Sequence, residues 1–470
     1  MEPPPSQLPT TEPLLGEAAS PRAGRTGKGN GEATAMVNLV NTIVGAGIVS
    51  LPHACALTGL APFAALVAFA QVLTNTSIQW VCRAADAART RTLYDTTRVL
   101  LGKSAETLLR ITVLMNNYGL LIVYLVVAGD VTCGQAGQQG LFELWLPTAC
   151  GGDSPGVLCR REGFTTLLAT CVLLPLCFLD NIKSLAVCSA LAVACTLVFV
   201  TVTLYLGGYQ LATHGLPGIG ALGPDPHSFP GPPFLGGVQA LVAAVPALVT
   251  AFVCHYNVLP IRASLEGIAG PRRDARVFGR SLAFVAILYV LVAASALVYF
   301  GSSVSSDVLD EFVFDKLRSA FKFHWLSVTI SDIVRLGYAV SLTLTYPLIF
   351  MEMRMSTEGL LGQLFRVRFV EDETCLTWAE FARRRLLTTA LILSHVVLAV
   401  VIADLWVIIH YIGSTGAIAI GFLFPSALHI ATNREGASAG LPGANSAVWK
   451  ARAMFVFSFA IMIFSVLQKG

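Results

Sequence analysis

Long apolar segments separated by shorter polar stretches follow one another along most of the chain. Eleven of them are long enough to cross a membrane, since a hydrocarbon layer of roughly 30 Å takes about 17 to 25 helical residues. They are apolar throughout, which is typical of membrane helices, whereas barrel strands alternate between polar and apolar positions. The pattern predicts an all-α membrane protein with about eleven transmembrane helices, near 34–57, 59–82, 104–134, 163–179, 185–207, 235–258, 279–301, 325–350, 384–404, 405–429 and 447–467.

The composition agrees with a membrane protein. Of the 470 residues, 55% are hydrophobic and 13% are charged, whereas a soluble protein has about 25% charged residues. A soluble fold would lack the polar residues that cover its surface. The lipid bilayer is therefore the expected partner, and a nucleic acid is not.

The positions of the basic residues predict how the helices are oriented. Lysine and arginine gather on the cytoplasmic side of membrane proteins. If the N-terminus is cytoplasmic and eleven spans alternate, 24 of the 31 basic residues fall inside and six fall outside. An error in the number of spans would scramble this division, so the sequence predicts a cytoplasmic N-terminus.

Two regions divide the chain. Residues 1–33 are rich in proline, glycine, serine and threonine, a composition that does not build a core and predicts a disordered cytoplasmic tail. The remaining apolar region, 34–467, is the expected transmembrane domain.

The first span is interrupted in its middle. Gly45 and Gly47, followed by Pro52, lie where a simple anchor would be a continuous helix, and Asn41 and Thr42 come just before them. Glycine and proline weaken a helix, and unwound backbone in a membrane is tolerated only where protein or a water-filled cavity satisfies it. Such a break offers amides to an anion and carbonyls to a cation. The alternative is close helix packing through small residues.

The sixth span has a matching interruption. Pro246 and Pro260 bracket Thr250, Cys254 and His255 within an otherwise apolar segment. Two interrupted helices five spans apart predict a five-plus-five inverted repeat with a binding site between its halves, at about 34–207 and 235–429, with an extra helix at 447–467. His255 is either a proton-coupling residue or a hydrogen-bonded structural histidine.

Polar side chains also occur in spans three and eight. The amides of Asn116 and Asn117 are costly in lipid unless they face a cavity or another helix. Ser341, Thr343 and Thr345 carry hydroxyl oxygens, which suit a hard cation such as Na⁺. Alternatively, these hydroxyls bond to the preceding helical turn.

Most of the eleven cysteines lie in apolar spans, where a thiol behaves as a small apolar group. Cys150 and Cys159 instead lie in the predicted outer loop between spans three and four, where conditions favour oxidation if that side is extracellular or luminal. A disulfide between them is predicted, with Cys133 as an alternative partner.

These motifs resemble those of the amino acid/auxin permease family, especially its sodium-coupled neutral amino acid transporter branch (solute carrier family 38). The resemblance covers nearly the whole membrane region in the same order. It is carried by Asn41 to Ile48 with Leu51-Pro52, Asn117 with Gly119, Phe252 to His255 with Val258 to Ile261, Thr343 to Pro347, and Gly413 to Ala417 with Phe424 to Ser426.

The resemblance implies a fold like that of the bacterial leucine transporter, in the APC superfamily, with discontinuous helices 1 and 6. It implies ion-coupled transport of neutral amino acids, with no cofactor besides Na⁺ or H⁺. Ala46 stands where many members of the branch have serine, so the coupling ion stays open. The implied sodium ligands are Asn41 and Thr345, and Thr343 is added to them as a candidate because of its hydroxyl oxygen. The predicted substrate-binding residues are Val44, Gly45, Ala46, Gly47, Asn117, Cys254 and His255.

Other functions fit less well. A membrane enzyme would need converging acidic or histidine residues within the spans, and these are scarce. An amino acid sensor or transceptor of the same fold would share every motif above. The expected location is the plasma membrane or a vacuolar or lysosomal membrane.

Overall fold

The computed structural model describes the chain in segments, and the following refers to these alone. They are 30–45, 47–135, 138–150, 156–178, 182–215, 233–263, 265, 271–321, 323–365, 378–402, 404–438 and 444–467. The predicted tail lies almost wholly outside them, except that the first helix already begins at Asn30.

The described residues are almost entirely helical. A two-residue hairpin is the exception, in which β1 (Gly134–Gln135) pairs antiparallel with β2 (Gln138–Gln139). The first ten helices are α1 (Asn30–Ile43), α2 (Gly47–Thr58), α3 (Leu60–Ala88), α4 (Leu93–Leu101), α5 (Lys103–Cys133), α6 (Leu141–Trp145), α7 (Pro147–Cys150), α8 (Arg161–Leu168), α9 (Leu174–Cys177) and α10 (Ile182–His214). The others are α11 (Pro233–Phe252), α12 (His255–Ala263), α13 (Pro271–Phe300), α14 (Phe314–Leu317), α15 (His324–Phe365), α16 (Trp378–Val401), α17 (Leu405–Ile412), α18 (Phe424–Ser438) and α19 (Ala444–Leu467).

The helices confirm an all-helical membrane protein. Among the described residues, nine helices are long and apolar enough to cross a membrane, or ten if α1 and α2 together form one span. The span predicted at 163–179 corresponds to α8 and α9 joined by the π-helical turn Ala169–Leu173, which is shorter than these. The span predicted at 325–350 continues as α15 to Phe365.

Both predicted interruptions are present in the structure. The axes of α1 and α2 differ by 58° across the residues that separate them. Val253 and Cys254 separate α11 from α12. Two π-helical turns, Gly413–Ala417 and Ala419–Leu423, interrupt the helix that runs from α17 to α18.

The core lies where the interrupted helices are enclosed by the long ones. α15 packs along α5 and α10, and α11 packs against α2. Large side chains such as Tyr289, Tyr338 and Tyr346 are fully buried there, whereas Phe459 and Phe464 on α19 are about half exposed. An apolar surface of this kind suits contact with lipid, since lipid chains are as apolar as the side chains themselves.

Candidate functional site

A cavity of about 300 Å³ lies beside the two interruptions. On α1 its wall is formed by residues before the break, on α12 by residues after the break, and on α15 by the second half of the helix. In the predicted orientation, all three regions lie on the cytoplasmic side of the breaks. The lining residues are Asn38, Asn41, Thr42, Ile43, Gly45, Gly47, Asn116, Leu120, Tyr124, Thr250, Val253, Tyr256, Asn257, Pro260, Ile261, Thr345, Leu348, Ile349, Met351, Glu352 and Met355.

Buried tyrosines hold the backbone at the breaks. The hydroxyl of Tyr289 on α13 lies 2.9 Å from the carbonyl oxygens of both Ile43 and Ala251, near the ends of α1 and α11. Carbonyl groups at the end of a helix lack partners within the helix, and Tyr289 supplies a donor to both ends. The Tyr338 hydroxyl on α15 donates to the Gly45 carbonyl at 2.9 Å.

The two interrupted helices touch at a glycine. A Cβ atom at Gly47 would lie 2.7 Å from the Cα atom of Ala251, closer than real Cβ atoms come to other atoms. The first residue of α2 therefore packs directly on α11. Because a helix N-terminus carries unpaired amides and a partial positive charge, the start of α2 is suited to bind an anion such as a carboxylate.

Four of the predicted site residues line this cavity: Asn41, Gly45, Gly47 and Thr345. Val44 lines a separate, mostly apolar cavity between α1, α10 and α13. Ala46 lies outside the described residues.

The other predicted substrate-binding residues do not line the cavity. Asn117 is fully buried and its amide oxygen accepts a hydrogen bond from Asn116, whose own side chain reaches the cavity wall. Cys254 is also fully buried. His255 lies with its Nε2 atom 2.7 Å from the Ser77 hydroxyl of α3, and its Nδ1 atom is buried with no hydrogen-bond partner among the described residues.

The predicted sodium ligands on α15 differ in position. The hydroxyls of Thr343 and Thr345 each donate to the carbonyl four residues earlier, both at 2.8 Å, which is the bonding expected of threonine in a helix. A donating hydroxyl keeps lone pairs that can coordinate a cation. Of the two threonines, Thr345 lines the cavity and Thr343 does not.

Several residues of the site escaped the sequence prediction. Tyr289 and Tyr338 bond to the unwound backbone, and a Cβ atom at Gly45 would lie 3.1 Å from the Tyr124 hydroxyl. A tyrosine within an apolar span gives no sequence signal for such a role. Glu352 lies just beyond the predicted end of span eight, and the continuation of α15 brings it to the cavity wall.

At the predicted outer end, side chains from several elements cover α2. The Nδ1 atom of His53 lies 2.8 Å from the Val304 carbonyl oxygen, and its ring meets Trp406 edge-on with centroids 4.7 Å apart. The loop after α13 is packed inward, and burial, together with the nearby Asp310 carboxylate, raises the pKa of Asp307 well above its usual range.

The two outer-loop cysteines lie close together. The sulfur atoms of Cys150 and Cys159 are 1.98 Å apart and their Cα atoms 5.4 Å apart, which is the separation of a disulfide. Cys133 is a buried free thiol.

Two interrupted helices that meet at a cavity with polar side chains in its wall, inside a membrane bundle, define a class of protein, the secondary transporters with broken helices. Residues 29–469 match the family model described as transmembrane amino acid transporter protein, and the chain belongs to this family. It is the amino acid/auxin permease family that the motifs resemble, and it is a family of transporters, not of enzymes.

Individual relatives agree with this assignment. The chain is 31% identical over 427 residues to amino acid transporter AVT6B of Arabidopsis thaliana, covering 89% of this chain and 86% of that one. It is 24% identical to vacuolar amino acid transporter 5 of Schizosaccharomyces pombe, over 92% and 91% of the chains. It is also 24% identical to sodium-coupled neutral amino acid symporter 2 of Danio rerio, over 84% and 74%.

A solved structure shares the fold. The structure of MhsT in complex with L-phenylalanine has a TM-score of 0.53 and 14% sequence identity, covering 93% of this chain and 98% of that one.

Proposed function

We propose that this protein is a secondary active transporter that carries small neutral amino acids across a membrane by alternating access, coupled to Na⁺ or H⁺. The observation that carries the proposal is the meeting of two interrupted helices at a cavity of about 300 Å³ whose mostly apolar wall carries a few polar side chains. This volume is at the small end of the range for ligand sites, and it suits a small solute.

The substrate's two charged groups have complementary partners at the break. We infer that the α-carboxylate binds at the start of α2, where Gly47 lines the cavity and the helix N-terminus supplies a partial positive charge. Thr42 at the end of α1 lines the cavity and offers a side-chain oxygen to the ammonium group. Charged side chains are missing from the cavity wall next to the break as far as it is described, which favours a substrate without net charge.

Thr345 is the residue that we propose as part of the cation site, with Asn41 as its partner across the cavity. Both side chains line the same cavity and carry oxygen atoms, which hard cations prefer. The relative from Danio rerio is named a sodium-coupled symporter, and this supports Na⁺, whereas H⁺ stays the alternative coupling ion.

The test is uptake of radiolabelled alanine and glutamine into proteoliposomes under an imposed Na⁺ gradient or pH gradient. Wild type and Thr345→Ala are compared with Thr329→Ala as the matched control. Thr329 lies on the same helix and its hydroxyl also bonds four residues back, at 2.8 Å, but it faces away from the protein. We expect Na⁺-driven uptake that Thr345→Ala reduces at least tenfold and Thr329→Ala leaves unchanged.

The other outcomes separate the alternatives. Uptake that only a proton gradient drives, and that Thr345→Ala leaves intact, would overturn the sodium site and keep the transporter. Binding of amino acids without accumulation under either gradient would favour a sensor of the same fold.

The proposed location is a vacuolar or lysosomal membrane, with the plasma membrane as the alternative. The name of the Schizosaccharomyces pombe relative supports the first. A fluorescent fusion viewed with markers of both membranes distinguishes them.

A further inference from the structure

Glu352 is an acidic residue whose place in the cavity is unlike that of its neighbours. Among the described residues that line the cavity, it is the one with a charged side chain. Within the same described segments, its carboxylate makes no hydrogen bond or ion pair with the protein. Other buried carboxylates nearby are paired, as Glu106 is with Arg110 at 2.9 Å.

Its position follows from the spacing along α15. Tyr338, Thr345 and Glu352 are each seven residues apart, close to two helical turns, so they share one face of the helix. Tyr338 bonds to the unwound backbone and Thr345 lines the cavity beside it. Glu352 therefore lies about 10 Å further along the axis than Thr345 and about 20 Å further than Tyr338, toward the predicted cytoplasmic end.

This distance separates Glu352 from the substrate bound at the break. The carboxylate and ammonium groups of one α-amino acid are much closer together than the roughly 20 Å between the levels of Tyr338 and Glu352. A substrate whose carboxylate contacts the start of α2 does not reach Glu352 with its ammonium group. The ligand of Glu352 is therefore not the ammonium group of this substrate.

The surroundings of Glu352 fit a proton better than a metal cation. The residues of α15 that line the cavity around it, Leu348, Ile349, Met351 and Met355, offer no hard oxygen ligands for Na⁺. Asn38 of α1 and Asn257 of α12 line the same cavity and are its remaining sources of amide oxygen at the cytoplasmic end. The ionisable groups that interact with it electrostatically are the phenols of Tyr94 on α4 and Tyr256 on α12. A proton requires no ligand besides the carboxylate itself.

The basic groups on the packed elements are engaged elsewhere. Arg110 on α5 pairs with Glu106 and stacks over the Tyr94 ring at 4.5 Å. Arg354 on α15 lies 3.8 Å from Glu358, which also faces Arg384 of α16 at 3.4 Å. The lining residues contributed by α1 are uncharged: Asn38, Asn41, Thr42 and Ile43.

We propose that Glu352 is a proton-binding site at the inner end of the cavity and that it must bind a proton before the cavity closes. The proposal rests on the alternating-access function above. While the cavity is open, water solvates the carboxylate. Closure removes this water and leaves the group in a cavity wall that is mostly apolar, where an unpaired charge is strongly unfavourable and a neutral carboxylic acid is not.

The first experiment measures the proton directly. Purified protein in liposomes is titrated with acid while the C=O stretch of protonated carboxyl groups is followed by infrared difference spectroscopy. The other carboxyl groups of the protein also protonate, so we expect one component of the wild-type difference band that is lost in Glu352→Gln and persists in Glu143→Gln. Glu143 lies on α6, away from the cavity, and controls for the loss of one carboxylate.

The second experiment measures cavity closure by exchange of radiolabelled alanine across vesicles without any ion gradient. At pH values where the carboxylate is mostly ionised, each unit of rising pH removes about nine-tenths of its protonated form. Wild-type exchange should then slow up to about tenfold per pH unit, whereas Glu352→Gln should exchange at a rate independent of pH. Glu352→Asp should restore the dependence.

The outcomes of these experiments distinguish an error in the proposed proton site from an error in the proposed transport function. A titrating band that persists unchanged in Glu352→Gln overturns the proton site, whatever the transport result. Alanine exchange that depends on Na⁺ at constant pH, and loses this dependence in Glu352→Gln, assigns the residue to a metal cation instead. A band lost in Glu352→Gln in a protein that accumulates no amino acid keeps the proton site and rejects the transporter.

Discussion

The hydroxyl of Tyr289 stands between the ends of the two interrupted helices and donates to a carbonyl of each. One hydroxyl carries one proton, so the two acceptors share it. The Tyr289 ring also meets Phe252 edge-on, with centroids 5.3 Å apart, which holds the hydroxyl in position. The relative placement of the two breaks therefore depends on one buried side chain.

Replacing Tyr289 with phenylalanine keeps the ring and removes this hydrogen bond. A buried acceptor left without its donor costs about 1–3 kcal/mol, and two carbonyls share the loss. We expect Tyr289→Phe to lower the thermal melting temperature measurably and to weaken amino acid binding about tenfold or more, measured by scintillation proximity on purified protein.

Tyr299→Phe is the matched control for this prediction. Tyr299 lies on the same helix, and its hydroxyl donates to the Lys316 carbonyl of the outer loop at 2.8 Å. Its loss should affect stability alone. Equal binding in Tyr289→Phe and wild type would show that the hydroxyl does not position the breaks.

The sequence predicted one part of this site better than the other. Asn41, Gly45, Gly47 and Thr345 were predicted because helix breakers and polar groups are costly in lipid without a purpose. The same criterion selected His255, which does not line the cavity and whose Nε2 atom lies 2.7 Å from the Ser77 hydroxyl. Polarity shows that a side chain needs a partner, but the partner on another helix is known only from the fold.

At the scale of the elements, the crossing of α2 and α11 depends on the absence of a side chain at Gly47. The nearest atoms to a Cβ there belong to the backbone and Cβ of Ala251, which cannot rotate out of the way. Gly413 makes a similar approach, because a Cβ there would lie 2.2 Å from the Pro246 carbonyl oxygen. α11 is thus enclosed on two sides by glycine contacts.

Gly47→Ala should force the two interrupted helices apart. Because backbone must move, we expect a large loss of folded protein or of amino acid binding, measured by size-exclusion chromatography and by radioligand binding. Gly237→Ala on α11 has no atom within 4 Å of the new Cβ and should behave as wild type. A fully active Gly47→Ala would contradict the close packing of the breaks.

The ends of the helices were predicted well where an apolar segment stops sharply. They were predicted wrongly where the helix continues into a more polar segment. α15 continues past Pro347 for several turns, because a proline in a long buried helix is tolerated when neighbouring helices satisfy the freed backbone groups. The prediction ended this span at 350 and so excluded Glu352. The breaks themselves were predicted from glycine and proline alone.

At the scale of the whole molecule, the orientation in the membrane decides which compartment the cavity faces. The distribution of basic residues predicts that the N-terminus is cytoplasmic. The cavity runs from the breaks past Thr345 to Met355, which is 48% exposed. With that orientation, the structure is open toward the cytoplasm, and His53 and Trp406 cover its other end.

Labelling of single cysteines tests both the orientation and the direction of the opening. Cys171 is the exposed free thiol among the described cysteines and is first replaced by serine. In this background, Met355→Cys should react with a membrane-impermeant thiol reagent in sealed vesicles that expose the cytoplasmic face of the membrane, and not in vesicles of the opposite orientation. Ser302→Cys lies in the exposed turn after α13. It should react only in the vesicles of the opposite orientation, which expose the non-cytoplasmic face. Reaction of both cysteines from the same side would mean that the charge distribution misassigns the topology or that the cavity opens outward.

A saturating amino acid that slows the reaction of Met355→Cys, and not that of Ser302→Cys, would connect the opening to the proposed substrate site.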